Sequence, residues 1–112
     1  MGKAVIQGDV YWFKFRAPDK RRPVLVLTRD SAISYLTGIT VAPITTTIRG
    51  IPSEVVLSPQ QDGVLADCAV NADNIQTIQK SQLGDLISHL SLERMREVRT
   101  AIEFALGFDV LA

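Results

Sequence analysis

Over its first two thirds the chain sets apolar residues in short stretches broken by Gly, Pro, Asp and Asn, the pattern of strands joined by tight turns. Residues 9–16 alternate: Tyr11, Phe13 and Phe15 fall on one face, Val10, Trp12 and Lys14 on the other. Ala17-Pro18-Asp19 ends this stretch with turn chemistry. Residues 23–27 are a continuous run of Val and Leu after Pro23, which predicts a strand buried on both faces. Residues 39–44 predict another, with Pro43 near its end. A sheet accepts proline there at an edge or a bulge, because proline has no N–H to give a neighbour. Residues 54–57, following Gly50 and Pro52, and residues 69–70 and 74–78, on either side of an Asn/Asp-rich bend, predict three shorter strands. Residues 83–90 fit either period and are read as a strand.

The last segment changes period. Ser91 is placed as an N-cap, and Glu93 sits in the first turn, where the helix dipole favours an anion. Leu92, Met95, Val98, Ile102, Ala105 and Leu106 then recur at spacings of three and four, while Arg94, Arg96, Glu97, Arg99, Thr100 and Glu103 fill the opposite face. Gly107 ends the helix. Short strands followed by one amphipathic helix predict an α+β, mainly β fold: a strongly curved antiparallel sheet or small barrel with the helix packed on it.

Composition agrees with one globular domain spanning residues 1–112. Of the 112 residues 46% are hydrophobic and 21% charged, enough apolar surface for a core without metals or disulfides. Cys68 is the single cysteine, so no internal disulfide forms and a reducing, cytoplasmic setting is expected. No stretch approaches the ~20 apolar residues of a membrane span.

The net charge of zero conceals an asymmetry. Residues 1–50 carry eight Lys or Arg against three acids, a balance of +5, and residues 51–112 four against nine, a balance of −5. Five of the cations, Lys14, Arg16, Lys20, Arg21 and Arg22, bracket one loop. Such a cluster either attracts a polyanion or is a solvated surface.

Two groups carry candidate chemistry. Arg22 directly precedes Pro23, which biases its backbone to extended geometry. A guanidinium there suits a phosphodiester, since it donates two parallel hydrogen bonds and opposes charge building on phosphorus. Thr45, Thr46 and Thr47 cluster just past a strand end, where a hydroxyl can orient a phosphate oxygen or serve only as a strand terminus. His89 is the only histidine, which excludes a two-histidine ribonuclease mechanism in a single chain and suits a structural role. Cys68, among Ala and Val, reads as a buried inert thiol. Asp67, Asp73 and Asn74 read as turn formers. Tyr11, Trp12, Phe13 and Phe15 either fill the core or stack on bases. No acidic cluster has metal-binding spacing, so neither a metal nor another cofactor is expected.

The order of these pieces resembles the MazF/PemK (Kid-like) toxins of bacterial type II toxin–antitoxin systems over nearly the full length. The resemblance runs through Gly8-Asp9-Val10-Tyr11-Trp12, Arg22-Pro23-Val24-Leu25-Val26-Leu27, Val41-Ala42-Pro43-Ile44-Thr45, Pro52-Ser53-Glu54-Val55-Val56-Leu57 and Asp73-Asn74-Ile75-Gln76-Thr77-Ile78, closing with Leu92 and Met95. It implies an SH3-like barrel subunit of the CcdB/Kid/MazF kind, a homodimer, and a bacterial cytoplasmic protein with no membrane partner. The implied activity is a metal-independent, sequence-specific endoribonuclease. It cleaves single-stranded RNA to 2′,3′-cyclic phosphate and 5′-hydroxyl ends and is neutralised by a cognate MazE-like antitoxin.

The family's catalytic arginine falls on Arg22, its threonine on Thr45, and an aspartate used by some members on Asp73. Lys14, Arg16, Lys20, Arg21, Thr46, Thr47, Arg49 and Asn71 are the candidate RNA contacts. The chain departs from the pattern in its short first loop, which lacks the family's Gly-Ser-Glu type sequence. It also has Asn71 where some members have an arginine. The Asp67 to Asn74 stretch is most similar to the mycobacterial branch. The alternative from another class is a non-enzymatic toxin on the same fold, like the gyrase-inhibiting CcdB proteins, against which the Arg22 and Thr45 pairing speaks.

Overall fold

The computed structural model describes residues 4–15 and 21–111. The alternating stretch forms β1 (Asp9–Lys14), flanked antiparallel by β2 (Arg21–Val26) and β7 (Leu83–His89). β2 pairs next with β3 (Gly38–Thr45). The far edge of β3 is shared end to end by two strands. Gly38, Ile39, Thr40 and Val41 pair with β6 (Gln76–Gln79), whereas Ile44 and Thr45 pair with β5 (Cys68–Asn71). β4 (Glu54–Leu57) adds to the outside of β5. The order is β4-β5-β3-β2-β1-β7 with β6 beside β3, so the mainly β, antiparallel class is borne out while the sheet stays open rather than closing as a barrel.

Pro43 departs from the simple expectation for proline. It is not on an edge strand: β3 is internal, and Pro43 stands opposite Val24 of β2. Its position is tolerated because of direction. Leu27 N–H donates to the Thr40 carbonyl at 2.9 Å, so Thr40 and Ala42 turn their polar backbone groups toward β2. Alternation then turns Val41, Pro43 and Thr45 toward the other edge. Val41 meets β6 and Thr45 meets β5; Pro43 falls in the gap between them.

Both faces of the sheet are covered, as the apolar run at residues 23–27 predicts. Val10, Leu25, Ala42, Ile44, Leu57, Val70 and Leu90 pack with Val98 and Ala101 of α3 (Leu92–Ala105). Tyr11, Phe13, Val24, Val26, Ile39, Val41 and Ile78 pack on the opposite face with Ile33 of α1 (Asp30–Ile33). Ser91 caps α3 by accepting the Arg94 N–H at 3.1 Å, and Gly107 ends it in the left-handed region at φ +76. The sheet covers only the middle of the helix face: Leu92 and Leu106, predicted to be inward, are exposed.

Two short features were not foreseen. α2 (Pro59–Asp62) has a cap of its own, with Ser58 Oγ accepting the Gln61 N–H and Pro59 in the first turn. The predicted strand at 74–78 begins only at Gln76, because Asn71 Oδ1 accepts the Asp73 N–H at 2.9 Å and winds Ala72–Asn74 into a 3₁₀ turn. Arg94, read as a solvent-face residue, instead reaches Asp62, with Nε–Oδ1 at 3.0 Å and Nη2–Oδ2 at 3.1 Å, and ties α3 to α2. Among the described residues no helix is long and apolar enough to cross a membrane.

Candidate functional site

Strand register brings Arg22 and Thr45 together. The β2–β3 ladder ends at Val24 and Pro43, and Arg22 and Thr45 stand two residues beyond that pair, each on its own strand. The side-chain period of two puts Arg22, Val24, Pro43 and Thr45 on one face. Arg22 is exposed, Thr45 half-buried, and both line two adjoining depressions.

The first depression, of about 320 Å³, is polar. Thr47 and Arg49 reach it from the loop after β3, Asn71 from the end of β5, Asn74 from the turn that follows and Gln76 from the start of β6. Pro43 and Phe15 form its apolar part. Glu54 supplies the one carboxylate among its described lining residues. The Glu54 Oε1 atom accepts the N–H of Arg49 at 2.9 Å and of Gly50 at 3.0 Å, where Gly50 has φ +71. Thr45 Oγ1 accepts the Thr47 N–H at 3.1 Å. The loop carrying Thr47 and Arg49 is thus held at both ends by side chains of the site. The second depression, of about 240 Å³, is mainly apolar and lies on the Trp12 side of Arg22. Thr46 and Arg21 reach it, and the Arg21 guanidinium carbon stands 4.5 Å from the centroid of the Trp12 ring.

Of the candidate residues, the structure thus gathers Arg21, Arg22, Thr45, Thr46, Thr47, Arg49 and Asn71 around these two depressions. Lys14 is exposed at the end of β1 opposite Arg21. Arg16 and Lys20 lie outside the described residues. Asp73 lines neither depression: its Oδ2 accepts the Ser53 hydroxyl at 2.6 Å, which clamps the 3₁₀ turn to the segment entering β4. Glu54 was missed in the sequence because it reads as one polar position in a short strand. The three residues after it are all apolar, so only the fold shows that Val55 and Leu57 point inward while Glu54 and Val56 take the other face.

Other groups stand apart from this site. His89 Nδ1 lies 2.9 Å from Oδ1 of the buried Asp9, whose Oδ2 accepts the Tyr11 hydroxyl at 3.2 Å. Burial, the Asp9 charge and this hydrogen bond push Tyr11 up to about 12. Cys68 is buried, and burial with the nearby charges of Asp62 and Asp67 pushes its thiol up to about 11, so it is held protonated and inert. Among the described residues no three His, Cys, Asp or Glu side chains are grouped to hold a metal ion.

An open antiparallel sheet with a C-terminal helix, carrying arginine and threonine on adjacent strands beside a polar depression, defines the class as a small, mainly β protein with a cationic, hydroxyl-lined cleft. Residues 6–106 match the family described as PemK-like, MazF-like toxin of type II toxin-antitoxin system, and the chain belongs to that family. It is 44% identical over 99 residues to the probable endoribonuclease MazF5 of Mycobacterium tuberculosis, covering 88% of this chain and 90% of that one. It is 42% identical over 91 residues to the endoribonuclease MazF3 of the same organism, covering 81% and 87%. Among solved structures it is similar to the Mycobacterium tuberculosis toxin MazF-mt6, with a TM-score of 0.80, 36% identity, and coverage of 88% and 96%. A mycobacterial endoribonuclease in complex with its cognate antitoxin gives a TM-score of 0.81 at 31% identity, covering 93% of this chain and 96% of that one.

Proposed function

We propose that this chain is a toxin endoribonuclease that cuts single-stranded RNA at the Arg22 and Thr45 site, without a metal ion, and is silenced by a cognate antitoxin. The observation that carries the reading is the placement of an exposed guanidinium and a threonine hydroxyl on neighbouring strands, just past the end of their ladder, where both line the same two depressions.

The chemistry follows from the groups present. The ribose 2′-oxygen attacks the adjacent phosphorus, the 2′-O–P bond forms, and the P–O5′ bond breaks. The products are a 2′,3′-cyclic phosphate and a 5′-hydroxyl. Arg22 donates to the non-bridging oxygens, on which charge accumulates as phosphorus becomes five-coordinate. Thr45 has its oxygen engaged by the Thr47 N–H, so its own proton is the part it offers, and it anchors the phosphate as a donor. The 2′-hydroxyl proton needs a base, and Glu54 is the carboxylate of the polar depression available to take it. The leaving 5′-oxygen takes a proton from water. Asp73 keeps a supporting role through Ser53. Arg21, Arg49 and Lys14, with Arg16 and Lys20 of the segment between β1 and β2 in sequence, draw the polyanion in, and Asn71, Thr46 and Thr47 contact it. A homodimer and an antitoxin segment laid over the basic rim complete the reading.

The test is incubation of purified protein with a long single-stranded RNA in EDTA, followed by mapping of fragment ends. Cleavage leaving cyclic phosphate ends and abolished in Arg22→Ala is expected. Absence of cleavage, or full activity in Arg22→Ala, sinks the reading.

A further inference from the structure

We propose that the apolar depression beside Arg22 and Thr45 seats a nucleobase of the bound RNA, that of a nucleotide flanking the phosphate held there. The inference rests on the endoribonuclease reading above and assigns the part of the site that the phosphate chemistry leaves unused.

Position is the first argument. Arg22 and Thr45 line both depressions, so a phosphate that they hold has a polar hollow on one side and an apolar one on the other. A nucleotide divides in the same way, into a charged, hydroxylated backbone and a flat ring with two apolar faces. The lining is the second argument. Trp12, Pro23, Ile44, Val64 and Ile87 form the walls, Leu65 stands with them, and no carboxylate is among the lining residues described. Walls of this kind receive a ring by stacking and shape more than by hydrogen bonds.

The rim supplies the third argument. The Arg21 guanidinium lies over the Trp12 ring at 4.5 Å, which leaves the outer face of the guanidinium as a planar, cationic platform. Arg21 and Arg22 at the rim complement a neutral ring carried on an anionic chain. Leu65 is 71% exposed, a large aliphatic side chain beside the hollow with little role in the core. Stacking of this sort tolerates several bases, so size and the width of the hollow set the preference at this one nucleotide.

Trp12 is the only tryptophan of the chain, so its fluorescence reports directly on this hollow. The probes are a ten-nucleotide RNA of mixed sequence with 2′-O-methyl riboses, which lacks the attacking hydroxyl, and inorganic phosphate. The RNA is expected to change Trp12 emission and phosphate to leave it unchanged. Leu65→Asp, at an exposed position that spares the core, is expected to weaken that RNA on the order of tenfold and to redistribute the cut sites on a long RNA.

Unchanged emission with RNA overturns the proposal. So does a Leu65→Asp protein with wild-type affinity and the same cut sites. In either case the wild type still cuts, and the endoribonuclease reading stands; loss of cutting by the wild type is the failure of that reading instead. A Leu65→Asp protein that changes only its mass by light scattering assigns the hollow to a second copy of the chain. Emission that responds to an acidic peptide and not to RNA assigns it to a protein partner. Both results overturn the nucleobase.

Discussion

Thr45 Oγ1 accepts the backbone N–H of Thr47 at 3.1 Å, so this hydroxyl shapes its loop as an acceptor, while the proposed mechanism uses its proton as a donor. Thr45→Val keeps the shape and removes both functions, whereas Thr45→Ser keeps both. We expect kcat/KM for RNA cleavage to fall about 100-fold or more in Thr45→Val, the usual loss for one donor to a developing oxyanion. Thr45→Ser should stay within a few-fold of wild type. Steady-state cleavage of a fluorogenic RNA measures both, and equal losses in the two variants would remove the hydroxyl from the mechanism.

Glu54 separates geometry from proton transfer. A glutamine can still accept the Arg49 and Gly50 N–H groups through its amide oxygen but cannot take a proton from ribose. Glu54→Gln should therefore lower kcat by about 10²–10⁴-fold with RNA affinity retained. Glu54→Ala should lose affinity as well, because the loop bearing Arg49 is released. If Glu54→Gln cuts at the wild-type rate, Glu54 only positions the loop.

Arg49 lies exposed at the polar depression, and its contribution to RNA is read best as a salt dependence. Arg49→Ala should weaken binding evenly across RNA sequences. The slope of log affinity against log salt should become shallower by about 0.7, the value for one phosphate contact on a single strand. A loss confined to one RNA sequence would make Arg49 a base reader instead.

Asp62 makes stability depend on acid. Burial works to raise its pKa, but the hydrogen bonds from Arg94 and the Ser58 N–H, with the Arg94 charge, outweigh burial and lower it. A carboxylate lowered in the folded state stabilises above its unfolded pKa of about 4, and that contribution is lost as pH falls through the folded value. Urea midpoints should fall from pH 5 downward more steeply for wild type than for Asp62→Asn. At pH 7, Arg94→Ala strands the buried carboxylate and should cost roughly 3–5 kcal/mol. Parallel pH profiles for wild type and Asp62→Asn would show that the pair contributes nothing.

Cys68 should resist alkylation in the folded protein. Its thiol is buried and raised to about 11, so at pH 8 almost none is thiolate. Rapid labelling by iodoacetamide without denaturant would contradict the burial.

Where local chemistry decides the structure, it was legible in the sequence. The alternation around Tyr11 and Phe13, the apolar run through Val24 and Val26, and the Ser91 cap with Gly107 each describe one element whose pattern does not depend on its neighbours. Arg22 and Thr45 were legible as candidates, though not as neighbours, since what brings them to one cleft is the pairing of β2 with β3. Glu54 and Asp73 show the limit most clearly. A carboxylate's role depends on which backbone N–H or hydroxyl folds back to it, here Arg49, Gly50 and Ser53, and no spacing rule encodes that. Pro43 was readable as an anomaly, and only the two partners of β3 explain it.

That proline also keeps the cleft from healing. A β-sheet tends to zip itself shut, since any unpaired stretch invites a neighbouring strand to grow along it. At Pro43 there is no N–H to reward that growth from β5 or from β6, and its ring lines the polar hollow. The opening above Arg22 and Thr45 is therefore written into the backbone as one missing proton, independent of the side chains in the loops around it.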